Sequence, residues 1–355
     1  MSSPCKGELA NSPMEYGAKL DEYRDWFSET GDGGDEERRA NYAALSSRYY
    51  DLATIFYEVG WGRSFHFAPL HRKLGRKGSL RHYERRFAEV TGLAEGVVAL
   101  DLGCGVGGPL IHLAQTTGAD IIGINNNSFQ VRRGTRYLEK AELEGRCRFV
   151  LADFMELPFE DNTIDAIYSI DAIPHAPDKE ALFRELFRVL RPGGRIACSD
   201  WCVTETFDAG KAEHRALLRK LEMGNGLPCT ASCLQVKQAL GNSGFEILEF
   251  RDLAREEETG WPWYEPLSHR PGVPVDLIKD PRVRGWINGV LRGLERLRLV
   301  PRGTSFVHDM LGRGAEALVK AGQMGIFTPL VFFVVRKPDN SCSNPAEESR
   351  QNGGT

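Results

Sequence analysis

Strand-like apolar runs alternate with amphipathic helical runs through the middle of this chain, and no other feature constrains its fold as strongly. VVALDL is followed by PLIHLAQTTG, and the alternation continues through ADIIGIN, SFQVRRGTRYLEKAEL, CRFVLAD, TIDAIYSID, KEALFRELFRVL and RIACSDW. Strands that alternate with helices form parallel sheets, because each helix returns the chain to the same edge. The sequence therefore predicts an α/β fold, a doubly wound and mostly parallel sheet covered by helices on both faces.

The pattern changes on either side of this core. NYAALSSRYYDLATIFYEV predicts an amphipathic helix before an aromatic loop, WGRSFHFAPL, and a second helix ending near Gly92. After about Gly224 come a helix, a strand, a long helical region and the run FTPLVFFVVRKP. Five parts are predicted: a disordered lead-in (1–40), an amino-terminal helical segment (41–92), the sheet core (93–224), a carboxy-terminal domain (225–337) and a flexible tail (338–355).

Composition excludes several classes of protein. The net charge of −4 argues against a nucleic-acid-binding face, which is usually basic. No apolar run reaches the roughly 20 residues of a bilayer span, and the longest, 326–335, predicts a buried strand. The amino terminus lacks a signal-peptide pattern, and the cysteines lack partners at zinc-finger spacing, so no metal is predicted. These features indicate a cytoplasmic protein or one peripheral to a membrane.

A glycine-rich loop, DLGCGVGG at 101–108, joins the first core strand to its helix. Glycines allow a sharp turn and the close approach of a ligand, and the helix that follows presents free N–H groups. The loop fits the dinucleotide pattern G-x-G-x-x-G through Gly103, Gly105 and Gly108. It also fits the S-adenosylmethionine pattern D-x-G-x-G-x-G through Asp101, Gly103, Gly105 and Gly107. The loop alone leaves both cofactors open.

Residues after the next two strands extend the predicted cofactor site. Asn125 ends the second strand, where its amide can hydrogen-bond a ribose hydroxyl. Asp153 and Phe154 follow the third strand, where a carboxylate can accept from an adenine amino group and a ring can line the base. Asn126 and Gln130 complete the predicted set.

Two further segments decide between the cofactors. The pattern L-P-F-x-D-x-x-x-D stands before the fourth strand, and RVLRPGG stands before the fifth. This pair resembles the class I methyltransferases, and dehydrogenases do not carry it. The cofactor that this resemblance implies is S-adenosyl-L-methionine.

Longer segments resemble the sterol 24-C-methyltransferases. They are YDLATIFYEVGWGRSFHF, GCGVGGP with GINNN, SDWCVTETFD with AEHR and MGNGLP, WPWYEPL, and GIFTPLVFFVVRKP. The resemblance runs from about residue 41 to residue 338. It implies a Rossmann-like core with a carboxy-terminal sterol methyltransferase domain, and methyl transfer to carbon 24 of a sterol side-chain alkene.

The family chemistry implies a carbocation that is closed by a hydride shift and proton loss. A positioned weak base would remove the proton, and aromatic faces would stabilise the cation. The candidate bases in the matching motifs are Glu58, His66, Asp171 and His175, and Asp171 could instead orient the methionine end of the cofactor. The candidate cation-stabilising rings are Tyr57, Trp61, Phe65, Phe67 and Trp201, with Trp263 and Tyr264 behind them.

The chain departs from the family pattern at Val59, Asp171, Ile173, Pro174 and Asp200. All five lie in segments that are expected to face the substrate. Four of them, Val59, Asp171, Ile173 and Pro174, are predicted to reshape the pocket around the cation. Val59 replaces a tyrosine, and the two acids are each one methylene shorter than the family's glutamate.

Other functions remain open from the sequence. The nearest alternative is a carbon methyltransferase acting on another isoprenoid, such as a linear triterpene, and a distant one is an NAD-dependent oxidoreductase or a non-catalytic scaffold. The sterol, the number of methyl groups added, the product double bond and any homo-oligomer are not determined. Peripheral membrane contact is expected, at the endoplasmic reticulum in a eukaryote, with the aromatic loop and the apolar carboxy-terminal region forming an entry lip.

Overall fold

A computed structural model describes residues 13–27, 34–256, 261–268 and 281–339. The helices are α1 (Pro13–Asp25), α2 (Gly34–Ala40), α3 (Tyr42–Trp61), α4 (Gly75–Thr91), α5 (Gly108–Thr117), α6 (Ser128–Glu139), α7 (Lys179–Val189), α8 (Ala212–Asn225), α9 (Cys233–Asn242), α10 (Pro281–Arg296) and α11 (Thr304–Gln323). The strands are β1 (Val98–Leu102), β2 (Asp120–Asn125), β3 (Arg148–Leu151), β4 (Ile164–Ile170), β5 (Leu190–Val203), β6 (Glu246–Asp252) and β7 (Phe327–Arg336).

The strands form one sheet in the order β3-β2-β1-β4-β5-β7-β6. Strands β1 to β5 are parallel, whereas β7 pairs antiparallel with both β5 and β6. The predicted doubly wound, mostly parallel sheet is confirmed, and so is the prediction that the apolar run near 326–335 is a buried strand. Strands β6 and β7, from the segment predicted as a carboxy-terminal domain (225–337), complete the same sheet as the core strands.

Both faces of the sheet are covered by apolar side chains. One face carries a core built with α4, α5 and α11, and the other face carries a core built with α7 and α9. The predicted turn at 191–194 is instead a bulge inside β5, where the pairing with β4 shifts between Ile164 and Ala166. Gly193 has φ of 74°, a conformation that suits glycine at such a bulge.

Two helices stand where the sequence predicted a disordered lead-in, so that prediction is wrong for 13–25 and 34–40. The lead-in is polar on average, but Leu20, Tyr23 and Phe27 are buried against the apolar side of α3 and the first turns of α11. Residues 1–12 and 28–33 of the lead-in, and 340–355 of the predicted tail, lie outside the described residues.

Helices α8 and α11 cross with their backbones in contact. A Cβ on Gly224 would lie 2.3 Å from the Cα of Gly314, so this crossing accepts glycine on both helices. Among the described residues, no helix combines the length and the apolar composition that a bilayer span requires.

Candidate active site

The candidate site lies at the carboxyl ends of β1 and β4, between which the chain order of the sheet reverses. Ligands of doubly wound sheets bind at this position, because the loops after the two strands diverge there. The glycine-rich loop follows β1, and the short helical turn Ile173–His175 follows β4.

The two loops touch at Gly103. This residue has φ of 67°, and a Cβ on it would lie 2.2 Å from the Cβ of Ala172. Gly105 also has a positive φ, of 55°, but its Cβ position contacts only the Phe65 ring, at 3.6 Å. Gly103 therefore packs the loops together, and Gly105 leaves space beside the backbone.

A small chamber of about 60 Å³ opens beside this loop. It brings together most of the predicted cofactor residues: Asp101, Gly103, Gly105, Asn125, Asn126, Gln130 and Phe154. Gly107 lies outside the lining, because its Cβ position faces the Phe149 ring at 2.5 Å. Asp153 also lies outside, where it accepts from the Tyr42 hydroxyl and from the Met155 N–H.

Asp101 leaves a buried acceptor unused. Its side chain is 3% exposed, and Oδ2 makes no hydrogen bond of good geometry among the described residues, although the Tyr168 hydroxyl lies near enough to lower the pKa of Asp101. Burial raises the pKa of Asp101 to about 7. A buried carboxylate whose nearest donor is poorly aligned is costly, so this oxygen suits a ligand that donates a hydrogen bond or carries positive charge.

The amides after β2 build the chamber wall. Asn125 donates from Nδ2 to the Gly105 carbonyl at 3.0 Å and to the Gln130 Oε1 at 2.9 Å. Gln130 in turn donates to the Thr54 hydroxyl of α3 at 3.0 Å. These groups hold the glycine loop against two helices, and the same amides line the chamber.

Helix α3 covers the chamber and is fixed by two amides, the predicted Asn126 and Asn127, which the sequence reasoning passed over. Asn127 donates from Nδ2 to Asp51 Oδ1 at 2.8 Å and to the Ser47 carbonyl at 2.9 Å. Asn126 donates to the Ser46 hydroxyl at 3.0 Å. A run of three asparagines directly after a strand was the available signal.

A larger cavity of about 850 Å³ lies next to the chamber. The Phe67 ring stands among three indoles, with ring centroids 5.2 Å from Trp61, 5.5 Å from Trp201 and 5.6 Å from Trp263. These rings, Tyr57 and Phe65 all line the cavity, as predicted for cation-stabilising residues. Tyr264 lies outside the lining and packs on Trp263 at 5.5 Å, the position predicted behind the others.

The chamber and the cavity share one wall. The side chains that line both are Tyr50, Phe65, His66, Asp171 and His175. A molecule in the chamber and a molecule in the cavity would therefore meet at these residues. Tyr50 was not among the predicted site residues, because a tyrosine within an apolar helical run carries no motif.

Asp171 is the carboxylate of the shared wall. It has φ of 58°, a left-handed conformation that is uncommon outside glycine. Oδ2 accepts from the Phe67 N–H at 2.7 Å, and Oδ1 accepts from the Ser199 hydroxyl at 2.6 Å. Burial raises the pKa of Asp171 to about 6, although the His66 charge and these hydrogen bonds oppose the rise.

His66 is held by acceptors on both ring nitrogens. Nδ1 lies 2.7 Å from the Phe67 carbonyl, and Nε2 lies 3.2 Å from Glu84 Oε1. Since a carbonyl and a carboxylate can only accept, both nitrogens donate and the ring is an imidazolium. Burial opposes the charge, but Glu84 raises the pKa of His66 above its ordinary value. These contacts argue against His66 as a proton acceptor.

His175 is neutral by the same reasoning. Its Nδ1 donates to the Gly226 carbonyl at 3.0 Å, so Nε2 accepts from the Tyr50 hydroxyl at 3.1 Å. Burial lowers the pKa of His175 to about 4. The neutral ring keeps a lone pair towards the shared wall, but the Tyr50 hydroxyl already uses it.

Glu58 is directed away from both spaces. It accepts from the Tyr137 hydroxyl at 2.6 Å and forms an ion pair with Arg133, both on α6, and it lines neither the chamber nor the cavity. The geometry therefore assigns Glu58 to fastening α3 on α6 and does not favour it as a base.

Three of the five departures from the family pattern do not face the cavity. Val59 is 85% exposed, Ile173 is fully buried in the core beneath the sheet, and Asp200 is buried in an ion pair with Lys179 at 2.9 Å. The prediction that Val59 and Ile173 reshape the pocket is therefore wrong, because Val59 points to solvent and Ile173 packs in the core. The expectation that Asp200 faces the substrate is also wrong, because its side chain is buried against Lys179. Asp171 and Pro174 do line the cavity.

Comparison with known proteins shows which protein family this chain resembles. A methyltransferase domain model matches residues 100–198, and a sterol methyltransferase C-terminal model matches residues 282–339. Cycloartenol-C-24-methyltransferase 1 of Oryza sativa subsp. japonica is 41% identical over 338 residues, which cover 95% of this chain and 97% of the rice protein. The sterol 24-C-methyltransferase ERG6 of Saccharomyces cerevisiae is 35% identical over 335 residues, which cover 92% and 87%.

Solved structures share the fold. The cyclopropane synthase MmaA2 of Mycobacterium tuberculosis superposes with a TM-score of 0.65 at 15% identity, covering 83% of this chain and 98% of that one. The geranyl diphosphate C-methyltransferase of Streptomyces coelicolor A3(2) superposes with a TM-score of 0.60 at 15% identity, covering 83% and 98%. At such low identities the similarity shows a shared fold alone, that of the class I methyltransferases.

Proposed function

Because this chain belongs to the sterol methyltransferase family and uses S-adenosylmethionine, we propose that it methylates carbon 24 of a sterol side-chain alkene. The observation that carries the proposal is the wall shared by the chamber and the cavity. It lets a polar cofactor and a large apolar substrate meet at one carboxylate.

Part of the cofactor would occupy the chamber beside the glycine-rich loop, because a space of about 60 Å³ is much smaller than the whole molecule. When bound, S-adenosylmethionine supplies an electrophilic methyl group on a positively charged sulfur. Asp101 would accept a hydrogen bond with its unused oxygen, and Gly105 would let the ligand approach the backbone. Phe154 lines the chamber and would contact the base, whereas Asp153 lies outside the lining, where it is held by the Tyr42 hydroxyl and the Met155 N–H.

The aromatic rings of the cavity suit the reaction of an alkene. An alkene is a neutral nucleophile that needs no base to attack the methyl group, but it needs alignment and the exclusion of water. Phe67 and the three indoles around it provide an apolar surface with electron-rich faces. Each such face stabilises a nearby cation by on the order of 0.5–2 kcal/mol without reacting with it.

Asp171 is the proposed proton acceptor. Attack on the methyl group leaves a cation at carbon 25, a hydride moves from carbon 24 to carbon 25, and a proton leaves from the new methyl group. The alkene forms from the electrons of that C–H bond. A carboxylate with a pKa of about 6 is ionised at neutral pH and accepts the proton more readily than an ordinary aspartate would.

Another part of the cavity offers a place for the sterol hydroxyl. His308 lines it, with Nδ1 donating to Asn288 Oδ1 at 2.6 Å, so its Nε2 is an acceptor. Burial lowers the pKa of His308, which keeps the ring neutral. Along α11, His308 stands about 21 Å before Gly322, whose Cβ position touches Trp263. A long substrate with one hydroxyl would lie between His308 and the aromatic cluster.

The experiment is an incubation of the purified full chain with S-adenosylmethionine labelled in its methyl group. Desmosterol, cycloartenol, zymosterol and squalene are tested separately, and the products are identified by mass spectrometry. The proposal expects label on the side chain of one or more sterols, and none with Asp101→Ala. Label on squalene alone would instead favour a methyltransferase of linear triterpenes, and label on none of the four would contradict the proposal.

A sterol substrate also implies a lipid source. Sterols dissolve in membranes and hardly in water, so we expect the enzyme to work as a peripheral membrane protein, at the endoplasmic reticulum in a eukaryotic cell.

A further inference from the structure

Helix α10 exposes an apolar stripe. Trp286 is 71% exposed, Val290 43% and Leu297 70%, and they are spaced four and seven residues apart, which places them on one side of the helix. Leu299, 68% exposed, continues the stripe past the end of the helix. Large apolar groups grouped in this way are uncommon on a surface that meets only water.

The charged groups around this stripe have one sign. Within residues 282–302, all of which the structure describes, the exposed charged side chains are Arg282, Arg292, Arg296, Arg298 and Arg302. The acid in this segment, Glu295, is only partly exposed and accepts from the Ser305 N–H at 2.6 Å. The segment is therefore strongly basic although the whole chain carries a net charge of −4.

The opposite side of α10 belongs to the wall of the large cavity. Arg284 lines the cavity and donates to Glu316 of α11 at 2.7 Å. Asn288 is buried and donates to Asp309 at 3.3 Å. One helix thus separates the cavity from the exposed stripe.

We propose that this outer side of α10, the face formed by Trp286, Val290, Leu297 and the flanking arginines, docks on an anionic lipid bilayer. Helices with apolar residues on one side and arginines beside them lie in the headgroup region, where tryptophan is also favoured. Arginines in that position attract anionic lipids. Two copies of this chain would bring like charges together, so charge complementarity favours lipid over a symmetric dimer.

The proposal rests on the proposed function, because a sterol would enter the cavity from the bilayer. The α10 face also takes the place of the aromatic loop and the apolar carboxy-terminal region, which were predicted to form the entry lip. Phe65 and Phe67 of the aromatic loop line the cavity, and β7 is buried, so neither forms an exposed lip.

The test is flotation of the full chain with phosphatidylcholine vesicles, with or without about 30 mol % phosphatidylserine. The wild type should float with anionic vesicles, less with neutral ones, and less at high salt. Trp286→Ser with Leu297→Ser should weaken binding at least tenfold. Leu234→Ser, at a position 65% exposed on α9, is the matched apolar control and should bind like the wild type.

Charge is tested in the same assay. Arg296→Glu with Arg298→Glu should abolish the preference for anionic vesicles, while Arg148→Glu, at an exposed position on β3, should not. Unfolding midpoints check that all variants fold. Wild-type binding by the α10 variants, or equal binding to neutral and anionic vesicles, would overturn the proposal. So would a dimer in sedimentation that Trp286→Ser dissociates.

Activity separates this proposal from the proposed function. With sterol delivered by cyclodextrin, the α10 variants should methylate like the wild type, and with sterol delivered in vesicles they should be slower. Vesicle binding without methylation under either delivery would contradict the function and leave the docking face standing. Equal slowing under both deliveries would mean that α10 acts on the cavity and not on lipid docking.

Discussion

Replacing Asp171 by asparagine should make the protein more stable at pH 8 and much less active. Asparagine keeps the size of the side chain and tolerates a positive φ. Its oxygen can still accept from the Phe67 N–H, and its amide can donate to the Ser199 oxygen. The change therefore removes the charge and leaves the hydrogen-bonding geometry largely in place.

The magnitude follows from the raised pKa of Asp171. A rise from 3.8 to about 6 corresponds to about 3 kcal/mol, at ~1.4 kcal/mol per tenfold change in proton affinity. Because the folded protein binds this proton more tightly than the unfolded chain, the stabilisation is complete below pH 3.8 and is lost as the pH rises through about 6. At pH 8 the wild type is then less stable than Asp171→Asn by up to about 3 kcal/mol.

The measurement is urea unfolding of both proteins from pH 4.5 to pH 8, together with kcat. The difference in unfolding free energy should grow as the pH rises towards 7, and kcat at pH 8 should fall by roughly 10²–10⁴ if Asp171 removes the proton. Asp161→Asn, at an exposed ion pair with Arg188, controls for the loss of a carboxylate. Parallel stability curves would refute the raised pKa. An unchanged kcat would refute the catalytic role, and a loss confined to cofactor affinity would assign Asp171 to orienting the cofactor.

Four further predictions follow from the same geometry. Gly103→Val should abolish S-adenosylmethionine binding in calorimetry, because the new Cβ would lie 2.2 Å from Ala172, and unchanged affinity would contradict the cofactor site. Lys179→Met should destabilise the protein by about 3–5 kcal/mol in urea, since it leaves the Asp200 carboxylate buried and unpaired. His66→Gln removes a positive charge that lowers the pKa of Asp171, so the acid limb of the kcat profile should move to higher pH, whereas its disappearance would make His66 the base. His308→Phe should raise KM for a free sterol several-fold and leave KM for its 3-methyl ether unchanged, and an equal rise for both would remove the proposed hydroxyl contact.

The sequence predicted the sheet because its signals were local. The core strands β1 to β4 are short apolar runs bounded by a turn or a helix, β5 contains such a run in RIACSDW, and the same periodicity placed the helices between them. The lead-in was misjudged because Leu20, Tyr23 and Phe27 are too few to form a pattern alone. They are buried only because α3 and α11 offer a complementary surface.

The candidate site was predicted where a motif fixes the backbone. Asp101 lies near the end of β1 and Asp171 directly follows β4, and both strands end at one edge, so the convergence of the two acids followed from the topology. Glu58 and Val59 were misplaced because a resemblance identifies a segment without giving the side of the helix that each residue occupies. Tyr50 was missed because a polar group in an apolar helix becomes a site only when another element, here the turn carrying His175, packs against it.

Helix α3 is held by apolar contacts on its α11 side and by polar side chains on its α6 side. This difference determines how a ligand can enter or leave the chamber. Towards α11 it buries Leu45, Tyr49 and Leu52, whose exposure to water would be costly and would raise the heat capacity. Towards α6 it is held by the side chains of Asn127 and Glu58, whose partners water can replace at little net cost. We therefore expect α3 to loosen first along its α6 side, with α11 as its pivot. The cofactor would then enter and leave between α3 and α6, where the contacts are polar, while the sterol enters the cavity from the bilayer.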